Sequence, residues 1–188
     1  MTKAFHIEGY AIASADGNIA GADGVMPPAL HFEADQAYLA AALDQSDVLV
    51  HGARSHEGQA NSPLRRRLIM TRKVEALAPD TATPNALLWN PAGASLPQAC
   101  AALGLRSGRI AVLGGPEVYR HFLDVGYDAF HLSRASGLVI PGGIPVFALR
   151  PVAEAAEALM ARRGLTPGDA QSLDAARGLS VTVWRPRA

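Results

Sequence analysis

The sequence predicts an α/β domain: a mostly parallel central sheet with helices on both faces and an antiparallel C-terminal edge. Three observations carry this reading. Short apolar runs alternate with helix-like segments, the pattern that crossover helices impose on parallel strands. The final run, residues 178–186 (GLSVTVWRP), alternates apolar and polar positions, as an antiparallel strand does. No repeat period or low-complexity linker divides the chain, so 1–188 reads as one domain, within the usual span of about 100–200 residues for a single core.

Taken in order, residues 4–14 (AFHIEGYAIAS) mix alternation with apolar character and run into the turn signal ADG, which makes the first strand. The Gly- and Pro-rich NIAGADGVMPPA then reads as a loop. From His31 to Leu43, Phe32, Leu39, Ala42 and Leu43 share one face at helical spacing. Residues 47–52 (DVLVHG) read as a buried strand ending in glycine, followed by LIMTRK (68–73) and ALLWN (86–90) as two more. SLPQACAALGL reads as a helix with Ser95 as N-cap and Pro97 in its first turn. IAVLGGPEVYRHFL (110–123) passes from strand through two glycines into a helix. YDAFHLSRA is a further strand, GGIPVF a glycine-rich turn, and residues 152–163 a segment of high helix propensity.

Composition narrows the function classes. Seventeen basic and seventeen acidic residues give no net charge, so neither nucleic acid nor an anionic membrane is an expected partner. The run Arg65–Arg67 reads as a solvated loop or the lead-in to a strand. Cys100, the single cysteine, excludes an internal disulfide, suits a reducing cytosol and reads as a buried structural thiol. The six histidines form no metal-binding pair, so no metal site is expected. With no membrane-length apolar run and no signal peptide at the N-terminus, a cytoplasmic location is expected.

Three strand ends suit an anion. A helix N-terminus offers unpaired N–H groups and positive potential. Gly114 and Gly115 would let a pyrophosphate approach that end, and Pro116 suits a first helical position; Glu117 and Val118 follow. The same residues also suit a plain tight turn, and they lack the GxGxxG spacing of the common dinucleotide fold. Gly52, Ala53, Arg54 and Ser55 offer a small surface, a cation and a hydroxyl. Thr71, Arg72 and Lys73 supply a hydroxyl and two cations suited to a phosphate monoester.

In this order, over roughly residues 5–147, these motifs resemble the dihydrofolate reductase-like superfamily. VLGGPEVYRHFL is similar to its Gly-Gly-x-x-Val-Tyr-x-x-Phe-Leu segment, GARS to its Gly-x-x-Thr segment, and MTRK to the strand end that receives the adenosine 2′-phosphate. GGIPVF is similar to the turn before the final strands. ASADGNIA (13–20) and DVLVHGARS resemble the branch containing the riboflavin-biosynthesis pyrimidine reductase, with His51 as an extra residue and Ser55 in the threonine place. Ala53 departs from the arginine of folate reductases, and HEGQANSPL departs from the pyrimidine-reductase segment that supplies arginine and aspartate. The resemblance implies no fused deaminase domain in this chain.

The resemblance further implies NADPH as cofactor, held by Gly52–Ser55, Thr71–Lys73 and Gly114–Val118. Arg54, Arg72 or Lys73 would take the 2′-phosphate, and Glu117 would point away or toward the substrate. The implied reaction is hydride transfer to a pyrimidine-type small-molecule substrate such as 5-amino-6-(5-phosphoribosylamino)uracil. A stand-alone dihydrofolate reductase and a non-catalytic ligand-binding protein are the alternatives. Asp35, near the acidic position of folate reductases, and Asp16, after the first strand, are the candidate catalytic residues; a helix-start charge and a turn residue are their plainer roles. The alternation of Leu179, Val181 and Val183 in an edge strand suggests a homodimer.

Overall fold

The computed structural model describes residues 3–55, 58–59, 61–147 and 155–187. In chain order the strands are β1 (Phe5–Ser14), β2 (Asn18–Ala20), β3 (Val48–Gly52), β4 (Arg67–Met70), β5 (Leu77–Pro79), β6 (Ala86–Trp89), β7 (Gly108–Val112), β8 (Ala129–Ala135), β9 (Ile144–Pro145), β10 (Leu165–Pro167), β11 (Gln171–Asp174) and β12 (Leu179–Pro186). The helices are α1 (Glu33–Leu43), α2 (Leu96–Ala102), α3 (Pro116–Val125) and α4 (Ala156–Arg162).

Among the described residues, ten strands form one sheet in the order β10-β12-β8-β1-β7-β3-β4-β6-β5, with β11 also on β12. The six from β8 to β6 are parallel, and β5, β10, β11 and β12 are antiparallel to their neighbours. The chain passes from β1 rightward over β7 to β3, but from β7 leftward over β1 to β8. Winding therefore reverses between β1 and β7, and a crevice opens beyond their carboxyl ends.

Opposite winding puts the helices on opposite faces. Leu39, Ala42 and Leu43 of α1 pack on Tyr10, Leu49 and Ala111. On the other face Ala99, Cys100, Val118, Phe122, Leu159 and Met160, from α2, α3 and α4, join Ile7, Val50, Ile110 and Phe130 in the main core. Burying side chains of this size contributes about 1.5–3 kcal/mol each. Cys100 is fully buried, and burial pushes its thiol up to about 11, which makes it a core group. Ser95 caps α2: its hydroxyl accepts from Gln98 N, and the Gln98 side chain accepts from Ser95 N at 2.8 Å.

Several expectations are corrected. β5, β10 and β11 were invisible as strands because they are three or four residues long and rich in proline or polar residues. The loop after β1 contains β2, paired with β9 from the GGIPVF turn. Strand β4 ends at Met70, so Thr71–Lys73 lie beyond it. α4 begins at Ala156; residues 152–154 of the expected helix lie outside the described residues. Arg67 is buried rather than solvated, donating to the Ser62 carbonyl at 2.8 Å and hydroxyl at 2.7 Å. β12 is not a bare edge: β8 flanks it on one side and β10 and β11 on the other, with Leu179 and Val181 buried. No helix of the described residues is long and apolar enough to cross a membrane.

Candidate active site

Three of the expected anion-binding segments stand side by side. β7, β3 and β4 are consecutive in the sheet, so Gly114, Gly52 and Thr71 follow one another along the row of carboxyl ends. At about 4.8 Å per strand the row spans about 10 Å. Gly52 N donates to Gly114 O at 2.7 Å, and Ser55 N donates to Gly52 O at 3.0 Å, which ties the first two segments into one surface.

Gly114 and Gly115 are glycines for different reasons. Gly114 has φ +90°, and a Cβ there would lie 2.5 Å from the Tyr119 ring. Gly115, joined to it by a cis peptide, is the N-cap of α3 at φ −74°; among the described residues a Cβ there would meet only Ser55 Oγ, at 3.8 Å. The first is demanded by packing and backbone. The second keeps open the space before the helix. Among the described residues no side chain caps α3; Pro116 has no N–H and Val118 N donates to Gly115 O at 2.9 Å, so the Gly115 and Glu117 N–H groups are the ones this opening offers a ligand. Val118 is buried beneath Gly52, and the Glu117 side chain is 73% exposed beside Arg120. Ala53, Arg54, Arg72 and Lys73 are exposed, while the Thr71 hydroxyl accepts from Lys73 N at 3.2 Å and closes the turn. An open cradle flanked by cations fits a dinucleotide phosphate.

A cleft of about 380 Å³ opens next to this surface, lined by Tyr10, Ile12, Asp35, Tyr38, Leu39, His51, Ser55, Leu113, Tyr119, His131 and Ser133 among others. Ser55 belongs to both the cleft and the cradle. Asp35 sits in the first turn of α1 and is only 7% exposed. Burial pushes its carboxyl above the ordinary aspartate range, and a hydrogen bond with Ser133 pulls it partly back. Asp16 does not line the cleft. Its carboxylate accepts from Ser14 Oγ at 2.5 Å, Asn18 Nδ2 at 3.1 Å and Ile140 N at 3.0 Å, and these bonds hold its pKa low. These bonds suit the turn role that the sequence also offered for this residue.

A second group of cleft residues was not foreseen. Tyr10 stacks on His131 with ring centres 4.5 Å apart, because β1 and β8 pair with these two residues in register. Tyr38 Oη lies 2.7 Å from His131 Nδ1. Behind them Tyr10 donates to Glu8, which also meets His6 Nε2 at 2.9 Å and Arg109 Nη2 at 3.1 Å. Burial of Glu8 opposes its ionisation, but the bonds from Tyr10 and His6 and the nearby positive groups outweigh it and hold its carboxyl low. Burial pushes His131 down to about 4, so its ring is neutral at physiological pH. The only sequence signal was the alternation in β1 that puts Glu8, Tyr10 and Ile12 on one face.

No family model and no curated protein matches the sequence. Solved structures do match. The Enterococcus faecalis dihydrofolate reductase complexed with NADP(H) and RAB-propyl superposes with a TM-score of 0.60 over 97% of both chains, at 14% identity. The chain has the dihydrofolate reductase-like fold. It is similar also to a pyrimidine reductase-like protein from Corynebacterium diphtheriae (TM-score 0.65, 16% identity, 97% of this chain and 92% of that one) and to Acinetobacter baumannii RibD (0.69, 15%, 97% and 58%). It spans little more than half, 56%, of a Thermotoga maritima diaminohydroxyphosphoribosylaminopyrimidine deaminase/5-amino-6-(5-phosphoribosylamino)uracil reductase. In this dihydrofolate reductase-like frame, the cradle lies along the strand ends and the Asp35 cleft beside it.

Proposed function

We propose that this chain is an NADPH-dependent reductase that transfers hydride to a pyrimidine-type heterocycle, such as 5-amino-6-(5-phosphoribosylamino)uracil. The observation that carries the reading is the junction of the two sites: Ser55 borders both the open cradle before α3 and the cleft that holds the buried Asp35. A bare phosphate-binding turn would need no carboxyl beside it, and a buried carboxyl with a raised pKa in a cleft suits a proton donor to a bound substrate.

The backbone N–H groups before α3, with Gly52 and Ser55, would hold the pyrophosphate, and Arg72, Lys73 or Arg54 the 2′-phosphate. When bound, NADPH supplies a hydride to the carbon of a substrate carbonyl or imine. Asp35 holds a proton at its carboxyl, next to where the adjoining oxygen or nitrogen must take one up. Ser133 fixes that carboxyl, Tyr10, Tyr38 and His131 wall the ring in, and Leu39 and Leu113 keep water from the reacting atoms.

The test is NADPH oxidation by the purified protein with the aminouracil substrate and, separately, with dihydrofolate. Turnover on the first that falls about 10²–10⁴-fold in Asp35→Asn supports the proposal. Turnover on dihydrofolate alone replaces it by the folate reading. NADPH binding with neither reaction excludes both substrates.

A further inference from the structure

The Tyr10–Tyr38–His131 cluster, which shares the cleft with Asp35, fixes the direction of one hydrogen bond, and that direction selects a ligand. His131 can hold its proton on either ring nitrogen. Nδ1 lies 2.7 Å from Tyr38 Oη. Nε2 has no hydrogen-bond partner among the described residues, but Glu8 Oε2 lies 3.9 Å away. That carboxylate is ionised, being bound by Tyr10, Arg109 and His6. A lone pair on Nε2 would face a negative charge in a site with little water, whereas an N–H there is attracted to it. The proton therefore belongs on Nε2, Nδ1 is bare, and the short contact is Tyr38 donating to His131. A phenol has one proton, so Tyr38 Oη is left with lone pairs only.

We propose that Tyr38 is a specificity-determining residue that can accept from, but not donate to, the group bound in the cleft, so that the site takes heterocycles presenting an N–H or amino group there and disfavours a carbonyl. The inference rests on the reading of the cleft as a substrate site and extends it to the substrate's hydrogen-bonding edge. His131 acts through Tyr38 and is a positioning residue. Its stacking on Tyr10 and the neighbours of Glu8 hold it in place, and its depressed basicity keeps it from gaining the second proton that would end the arrangement.

Two measurements test this without cofactor. A ¹⁵N spectrum of the imidazole groups, assigned with His131→Phe, is expected to show a protonated Nε2 and a bare Nδ1 at neutral pH. A proton on Nδ1 overturns the proposal. Calorimetric titration with 2,4-diaminopyrimidine and with 1,3-dimethyluracil, a pyrimidine with carbonyls and no N–H, then reads selectivity. Tyr38→Phe should weaken the diamine about tenfold and leave the dimethyluracil within about twofold, since a lost hydrogen bond penalises only the ligand that donated it. His131→Phe keeps a ring against Tyr10 and releases the Tyr38 proton into the cleft, so the dimethyluracil should gain about fivefold relative to the diamine. Selectivity unchanged in both variants refutes the assignment, as does failure of the wild-type protein to bind either pyrimidine. Because no nicotinamide is present, these outcomes are separate from loss of the reductase reading, which NADPH titration judges.

Discussion

Gly115→Ala adds one methyl group at a place where the fold has room for it. Among the described residues the added Cβ would meet only Ser55 Oγ, at 3.8 Å, and φ −74° is a conformation that alanine adopts freely. Folding stability should therefore change by no more than about 0.5 kcal/mol. The methyl group would project into the space before α3, where a phosphate has to approach the backbone. Loss of one charge-assisted hydrogen bond, worth about 1.5–3 kcal/mol, raises the Kd for NADPH by about 10- to 100-fold. Gly114→Ala is the control. Its Cβ would strike the Tyr119 ring at 2.5 Å, and that ring is anchored by its hydroxyl donating to Tyr10 O. The left-handed φ of +90° adds about 1–2 kcal/mol and overpacking about 1–3, so this variant should lose about 2–5 kcal/mol of stability. Urea unfolding and calorimetry on both variants separate the effects. Wild-type NADPH affinity in a folded Gly115→Ala protein would refute the cradle, and a stability loss equal to that of Gly114→Ala would refute the packing argument.

Asp35 gives two further predictions. Its folded-state pKa lies above its unfolded one, so its contribution to stability is fully present below about 3.9 and is lost as pH rises through the folded value. Asp35→Asn should accordingly match the wild type in acid and surpass it in thermal midpoint at pH 8, while losing turnover; a lower midpoint at pH 8 would contradict the buried-carboxyl account. Ser133→Ala removes the bond that lowers the Asp35 pKa, so the alkaline limb of kcat should move to higher pH. A pH–rate profile in which that limb stays put would separate Ser133 from the reaction.

How legible all this was in the sequence depended on how local the signals were. β1, β3, β7 and β8 are buried runs whose apolar character shows without context, and the glycine pair announces a tight strand-to-helix passage. Asp35 was visible from its place early in α1. The Tyr10–His131–Tyr38 wall was not, because its members lie 93 or more residues apart or on different elements and meet only through the β1–β8 register. The partners of Asp16 were hidden for the same reason: the Ile140 N–H that its carboxylate accepts from comes from 124 residues away. The antiparallel additions at both sides of the sheet were hidden by proline at Pro79 and Pro167, which weakens any strand signal while being tolerated near strand ends.

The central claim is that the row formed by Gly114, Gly52 and Thr71 holds NADPH beside the Asp35 cleft. Calorimetric titration of the protein with NADPH and with NADH tests it most directly. The account predicts a micromolar Kd for NADPH, NADH weaker by at least about tenfold, and loss of that preference when Arg72, Lys73 and Arg54 are replaced by alanine. Absence of binding by either nucleotide would contradict it and reduce the glycine pair to a turn between β7 and α3.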